Sequence, residues 1–152
     1  QAGGNVVMVQ CENEYGSYGD VSKHPTDKQY MLHLISTARE VLGEDYVSAS
    51  IEKGAADPFT RKLQQFATEY AWGTVWCNDT LDRKTRSIMN ICILSALGRE
   101  AELRLHVRGA VNNGVSKDEI AEALLHTGVY AGAPTAVAGF RTAAEVFEQM
   151  GI

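Results

Sequence analysis

Residues 97–120 read LGREAELRLHVRGAVNNGVSKDEI, and the fold turns on how they divide. Leu103, Val107 and Ala110 return at helical spacing, so Glu100–Asn112 reads as one helix, closed by Asn113-Gly114. Ser116-Lys-Asp-Glu119 follows at once as a capping box: the serine hydroxyl accepts from the third amide, and the glutamate reaches back to the serine amide. A further helix starts there, with Ile120, Ala123, Leu124 and Thr127 on its core face.

The same reading extends outward in both directions. Gly132-Ala-Pro134 breaks the chain, and a last helix carries Ala138, Ala144, Val146 and Phe147 inward. Upstream, Asp79 or Thr80 caps a helix whose core face is Leu81, Ile88, Ile91, Cys92 and Ser95, ending at Gly98. Phe59–Trp76 puts Leu63, Phe66, Ala67 and Tyr70 on one stripe, with Trp72 and Trp76 as core or subunit-contact residues. Thr26 opens an earlier helix with Gln29 at the capping-box position. Met31, Leu34, Ile35, Ala38, Val41 and Leu42 recur along it, and Gly43 stops it. No strand pattern follows residue 26. The expected fold is all-α, preceded by a short strand-like run at residues 3–9 (GGNVVMV) and a turn-rich loop at 15–25. A lone buried strand has no ladder partner, which suggests that the two ends come from different contexts.

The totals bound the function. The 152 residues suffice for one domain with a real core. A net charge of −5 and the lack of Lys/Arg runs argue against a nucleic-acid surface, although a few arginines can still hold a small anion. No apolar stretch reaches the ~18 residues of a membrane span. Cys11, Cys77 and Cys92 are odd in number and widely spaced, which argues against a disulfide framework or a CxxC redox or zinc site and fits a reducing, cytoplasmic setting best. Gln1 in place of Met suggests a trimmed or partial start, and no signal peptide is read there.

Two family resemblances account for the two ends. GGNVVMVQCENEYGSYG, with DKQYMLHL after it, resembles a segment of the retaining β-galactosidases over about residues 1–35. In that family the strand belongs to a (β/α)8 barrel, so the resemblance implies an acid/base at Glu14 and a sugar contact at Asn13. Retaining hydrolysis also needs a second carboxyl group about 5–5.5 Å away. That group comes from a later strand, and here there is no room for the others; Glu12 cannot replace it. Glycosidase activity is rejected.

Residues 36–152 resemble the carboxymuconolactone decarboxylases. The resemblance is carried by REVLGEDYV at 39–47, YAWGTVW at 70–76, LDRKTRSIMNI at 81–91, the stretch quoted at the outset, and LLHTGVYAGAPTA at 124–136. It implies an alkylhydroperoxidase-D-like helical subunit, assembled as a trimer of dimers and needing no metal or organic cofactor. The implied reaction is decarboxylation of 4-carboxymuconolactone in the protocatechuate branch of the β-ketoadipate pathway. The two resemblances meet within one expected helix, between about residues 30 and 39.

Loss of CO2 from such a lactone sends an electron pair through the ring alkene into the lactone carbonyl. Cations must seat a substrate with two carboxylates, a donor must stabilise the dienolate oxygen, and an acid must protonate carbon. His106 is the expected acid, with Glu102 one turn before it to fix the tautomer and raise its pKa. The peroxidase-type relatives carry Cys-x-x-Cys and His where this chain has Arg99, Glu102 and His106, so thiol-based peroxide reduction is not available to it. Arg83, Arg86 and Arg99 are candidate substrate-binding cations, although Asp82 makes a surface ion pair an equal alternative for the first two. His126 and Tyr130 are candidate pocket residues, with packing as their default role. The rival expectations are a catalytically silent helical oligomer, damaged by the foreign N-terminus, and a decarboxylase or isomerase of a related lactone.

Overall fold

The computed structural model describes residues 25–152. The strand expected at 3–9 lies outside the described residues, as do Glu12, Asn13 and Glu14. The chain divides into two compact units, Gln1–His33 and Leu34–Ile152. Within the described residues every regular element is helical.

Helix α1 runs Pro25–Leu42. It begins one residue before the expected Thr26, because Pro25 is preset for a first helical turn. Leu34, Ala38, Val41 and Leu42 are buried along it at the spacing the sequence predicts. Gly43 alone separates α1 from α2 (Glu44–Ala56), at a φ of 95° that a side chain would strain.

The expected single helix over 59–76 is two elements. Asp57 caps α3 (Pro58–Phe66) by accepting from the Phe59 and Thr60 amides, and a π-helical segment follows over Ala67–Trp76. The expected core stripe is a correction: Leu63 is 68% exposed, and Phe66 and Tyr70 are exposed beside it with their rings 5.1 Å apart. The stripe is amphipathic as read, but no described residue covers it. Trp76 is buried, and its ring lies 5.5 Å from that of Trp72.

The next helix, α4, spans Arg83–Ala96, and its cap is Asp82 rather than Asp79 or Thr80. The Asp82 carboxylate accepts from both the Thr85 amide (2.8 Å) and its hydroxyl (2.9 Å), which holds the acid below its ordinary pKa. Leu81 therefore precedes the helix and is exposed, not core. Helix α5 is Glu100–Asn112, and α6 is Lys117–Ala131, opened by the predicted Ser116–Glu119 capping box. Helix α7 is Ala133–Met150. It buries Gly139, Thr142, Ala143 and Val146; Ala144, expected inside, is exposed.

Helices α4 and α7 each pack against both α5 and α6. Three side-chain ties join α5 to α7, Glu100–Arg141, Arg104–Glu145 and Arg108–Gln149, each across 41 residues. The constant separation means that the two helices run parallel. The main core lies among α4–α7, with Ile91, Leu103, Val107, Ile120, Leu124 and Val146 buried. Burying each such side chain contributes about 1.5–3 kcal/mol. A second cluster joins Ala38, Val41, Leu42, Val47 and Trp76, with Leu105 of α5 packed against it.

Gly109 is where α5 meets α1. A Cβ there would stand 2.8 Å from the Val41 carbonyl oxygen, a backbone atom that cannot turn aside. Gly109→Ala should therefore destabilise the fold by roughly 1–3 kcal/mol, although alanine is the better helix former. A chemical-denaturation midpoint equal to or above that of the parent would overturn the close-approach reading.

Candidate active site

Helix α5 presents His106 between Leu105, which packs on the second cluster, and Val107, which is fully buried in the first. The imidazole is largely removed from water by its position on a helix packed on two sides. Burial pushes it below its ordinary pKa of 6.5, and the charge of Glu102 pulls part of the way back. The expected upward shift is thus a correction. Glu102 acts in the predicted direction, but it is exposed, and desolvation of the imidazolium outweighs it. Among the described residues Glu102 makes no hydrogen bond to the ring.

The contact the ring does make comes from α4. The Asn90 amide nitrogen lies 3.3 Å from His106 Nδ1. Sequence reasoning passed over Asn90. The available signal was its position as the one polar side chain in the apolar run Ile88-Met-Asn-Ile-Cys-Ile-Leu94.

The three arginines do not converge on His106. Arg83 pairs with Glu40 of α1. Arg86 donates to the carbonyls of Leu81 (3.1 Å) and Asn78 (2.8 Å), clamping the loop that leads into α4. Both are engaged in holding the frame. Arg99 is the N-cap residue of α5, exposed, with no side-chain partner among the described residues. It lies two turns from His106 on the same helix, beside the positive end of the helix dipole.

His126 and Tyr130 stack on α6 with ring centroids 5.0 Å apart, both exposed. His126 borders a shallow groove lined also by Ile88, Cys92, Asp118, Glu119 and Glu122. Ile88 and Cys92 leave α4 on the side away from Asn90, so the groove and His106 lie across that helix from one another. Of its three carboxylates Glu119 is paired with Lys84 at 2.8 Å, and Asp118 and Glu122 leave the groove acidic. At the N-terminus of α5 the exposed Arg99 stands beside Glu100 and Glu102 of the first turn.

Residues 61–145 match the carboxymuconolactone decarboxylase family. The chain is 44% identical over 126 residues to the 4-carboxymuconolactone decarboxylase of Acinetobacter baylyi, covering 83% of this chain and 92% of that protein. It is 46% identical over 103 residues to the nitrosuccinic acid decarboxylase npaB of Metarhizium robertsii, covering 68% and 71% respectively. A separate, partial likeness is to Beta-galactosidase 17 of Arabidopsis thaliana, 39% identical over 69 residues that make up 45% of this chain but 9% of that protein. The chain belongs to the carboxymuconolactone decarboxylase family.

The lowered pKa of His106 is testable in the free protein. The unfolded chain takes up this proton first as pH falls, so the linked stability is lost from 6.5 downward, toward the folded midpoint. NMR titration of the ring should give a midpoint below 6.5. Glu102→Gln should move that midpoint lower still, because it removes the one charge that favours the imidazolium. A rise on that substitution would contradict the assignment of burial as the dominant cause.

Proposed function

Proceeding from that membership, we propose that the chain is a cofactor-independent carboxy-lyase. Its substrate would be 4-carboxymuconolactone, converted to β-ketoadipate enol-lactone in the protocatechuate branch of the β-ketoadipate pathway, in a cytoplasmic setting. The observation that carries this reading is the 44% identity extending over 92% of a protein with that named activity. We read residues 36–152 as the part that performs it, with His106 as general acid.

The reaction consumes one proton. The C–COO⁻ bond breaks, its electron pair passes through the alkene to the lactone oxygen, and CO2 departs. The dienolate then takes a proton on carbon. A ring held neutral by burial is a poor acid until something raises its pKa. The substrate supplies that change, because two carboxylates beside a partly buried imidazole favour its charged form. On this account His106 takes a proton from solvent as the dianion binds and gives it to carbon after CO2 leaves. Arg99 and the α5 N-terminus seat a carboxylate, and Glu102 helps to hold the imidazolium. Arg83 and Arg86 support the site through the frame, and His126, whose groove lies across α4 from His106, and its neighbour Tyr130 are left out of it.

A second reading concerns the substrate. The likeness to a nitrosuccinic acid decarboxylase favours another dicarboxylic acid, in which a nitro group takes the place of the lactone carbonyl as electron acceptor. The chemistry asked of His106 is the same. Assays of purified protein on both acids decide between them. On the preferred acid, His106→Ala should lower kcat by about 10²–10⁴-fold, the usual contribution of general acid catalysis. Glu14→Gln should leave the rate unchanged. Folded protein that turns over neither acid would instead support the silent-oligomer alternative.

We further propose that the chain assembles as a homo-oligomer, a trimer of dimers. Residues 123–140 contain no Asp, Glu, Lys or Arg, yet Val129 is 78% and Tyr130 80% exposed, with Val137 exposed nearby. The uncovered stripe at Leu63, Phe66 and Tyr70 is a second such face. Apolar surface on this scale supports association. Sedimentation velocity should give a hexamer for the parent chain and smaller species for Val129→Lys. A monomeric parent would refute it.

A further inference from the structure

We propose that Asn90 is the positioning residue for His106: its amide holds ring atom Nδ1 in both protonation states, so that Nε2 is the atom that delivers the proton. The contact is the 3.3 Å approach of the Asn90 amide nitrogen to Nδ1, from α4 across to α5. An amide nitrogen only donates, so Nδ1 accepts, and the proton of the neutral ring sits on Nε2. Among the described residues Nε2 has no protein partner, which leaves it free for substrate. Once the ring is protonated, Nδ1 also carries hydrogen and needs an acceptor. A half-turn of the amide about its last torsion brings Oδ1 to face Nδ1. The solvent proton that charges the ring thus enters at Nδ1, where Oδ1 accepts from it. Nε2 gives its proton to carbon, and the ring is left as Nδ1–H. Exchange of both protons with solvent, with the amide turning back, restores the Nε2–H form. An aspartate accepts from Nδ1–H alone and so selects the other neutral tautomer, and a leucine selects neither.

The surroundings leave this role to Asn90. The charged group acting on the ring is Glu102, on the ring's own helix and exposed. From α4 the facing group is Asn90, which is neutral. From α7 the charges that approach α5 are Glu145 and Arg141, each already paired, with Arg104 and Glu100 respectively. Leu105 faces the apolar cluster of α1 and the π-helical segment. No other described side chain hydrogen-bonds the imidazole.

This inference deepens the decarboxylase reading and rests on it for its catalytic part alone. The closing experiment therefore has one arm that needs no turnover. Nitrogen-15 NMR of the free, imidazole-labelled parent should show the Nε2–H tautomer above the titration midpoint. Asn90→Leu should let the Nδ1–H tautomer appear, and Asn90→Asp should raise the midpoint by roughly one unit through a carboxylate partner. In the assay, Asn90→Leu should lower kcat about tenfold, one lost hydrogen bond's worth, with little change in KM. An Nδ1–H tautomer in the parent overturns the proposal without recourse to any variant. So does an unchanged tautomer in Asn90→Leu. If the NMR results hold while the parent turns over no acid, Asn90 keeps its role and the substrate assignment fails.

Discussion

The burial of α5 from two sides is the constraint on which the rest depends. Leu103, Val107 and Ala110 face the core among α4–α7, while Leu105 faces the cluster built by α1 and the π-helical segment. Gly109 lets α1 come within contact of the α5 backbone. A helix so enclosed has little water to offer a polar side chain, and His106 stands between two of its apolar anchors. The neutral imidazole follows from that placement, as does its reliance on a neutral amide for a partner. A charged acid waiting in the empty site would have to pay the cost of desolvation, which the exposed Glu102 is too weakly coupled to offset.

The same constraint decides how cations are used. A dianionic substrate calls for positive charge, and the chain places five arginines in 83–108. Four of them are engaged elsewhere: Arg83 with Glu40, Arg86 with two loop carbonyls, Arg104 with Glu145, and Arg108 with Gln149. These contacts fix the entry to α4 and the parallel register of α5 on α7. Arg99, the N-cap residue of α5, has no side-chain partner among the described residues.

What was legible in the sequence is what local chemistry decides. The Glu100–Asn112 helix and the Ser116–Glu119 box emerge as read, since caps and stops act within a few residues. Where neighbouring residues compete, local rules lose their grip. Asp79, Thr80 and Asp82 can all cap, and Asp82 wins because Thr85 offers its hydroxyl as well as its amide. Ala143, three residues before Val146 and four before Phe147, is the buried alanine, and Ala144 falls one position off that face. Amphipathy at Leu63, Phe66 and Tyr70 announces a face that wants covering without saying by what. Asn90 was invisible for a related reason, as its partner lies sixteen residues away on another helix. Resemblance singles out His106, and its pairing with Glu102 is apparent in sequence, whereas the burial that outweighs that charge is not.

The second resemblance bears on how much of the chain this chemistry needs. The shares of the chain matched by the two kinds of relative, 83% and 45%, add to more than the whole, so the likenesses share residues. A helix accommodates such overlap easily, because its backbone bonds are satisfied internally whatever its side chains. From Leu34 onward α1 must supply Leu34, Ala38, Val41 and Leu42 at the right spacing, and it does. A carboxylate such as Glu14 has no comparable tolerance, since glycoside hydrolysis demands a second one at a fixed distance on a common scaffold. Packing accepts residues of any ancestry that keep a period, whereas catalysis needs particular atoms at particular separations.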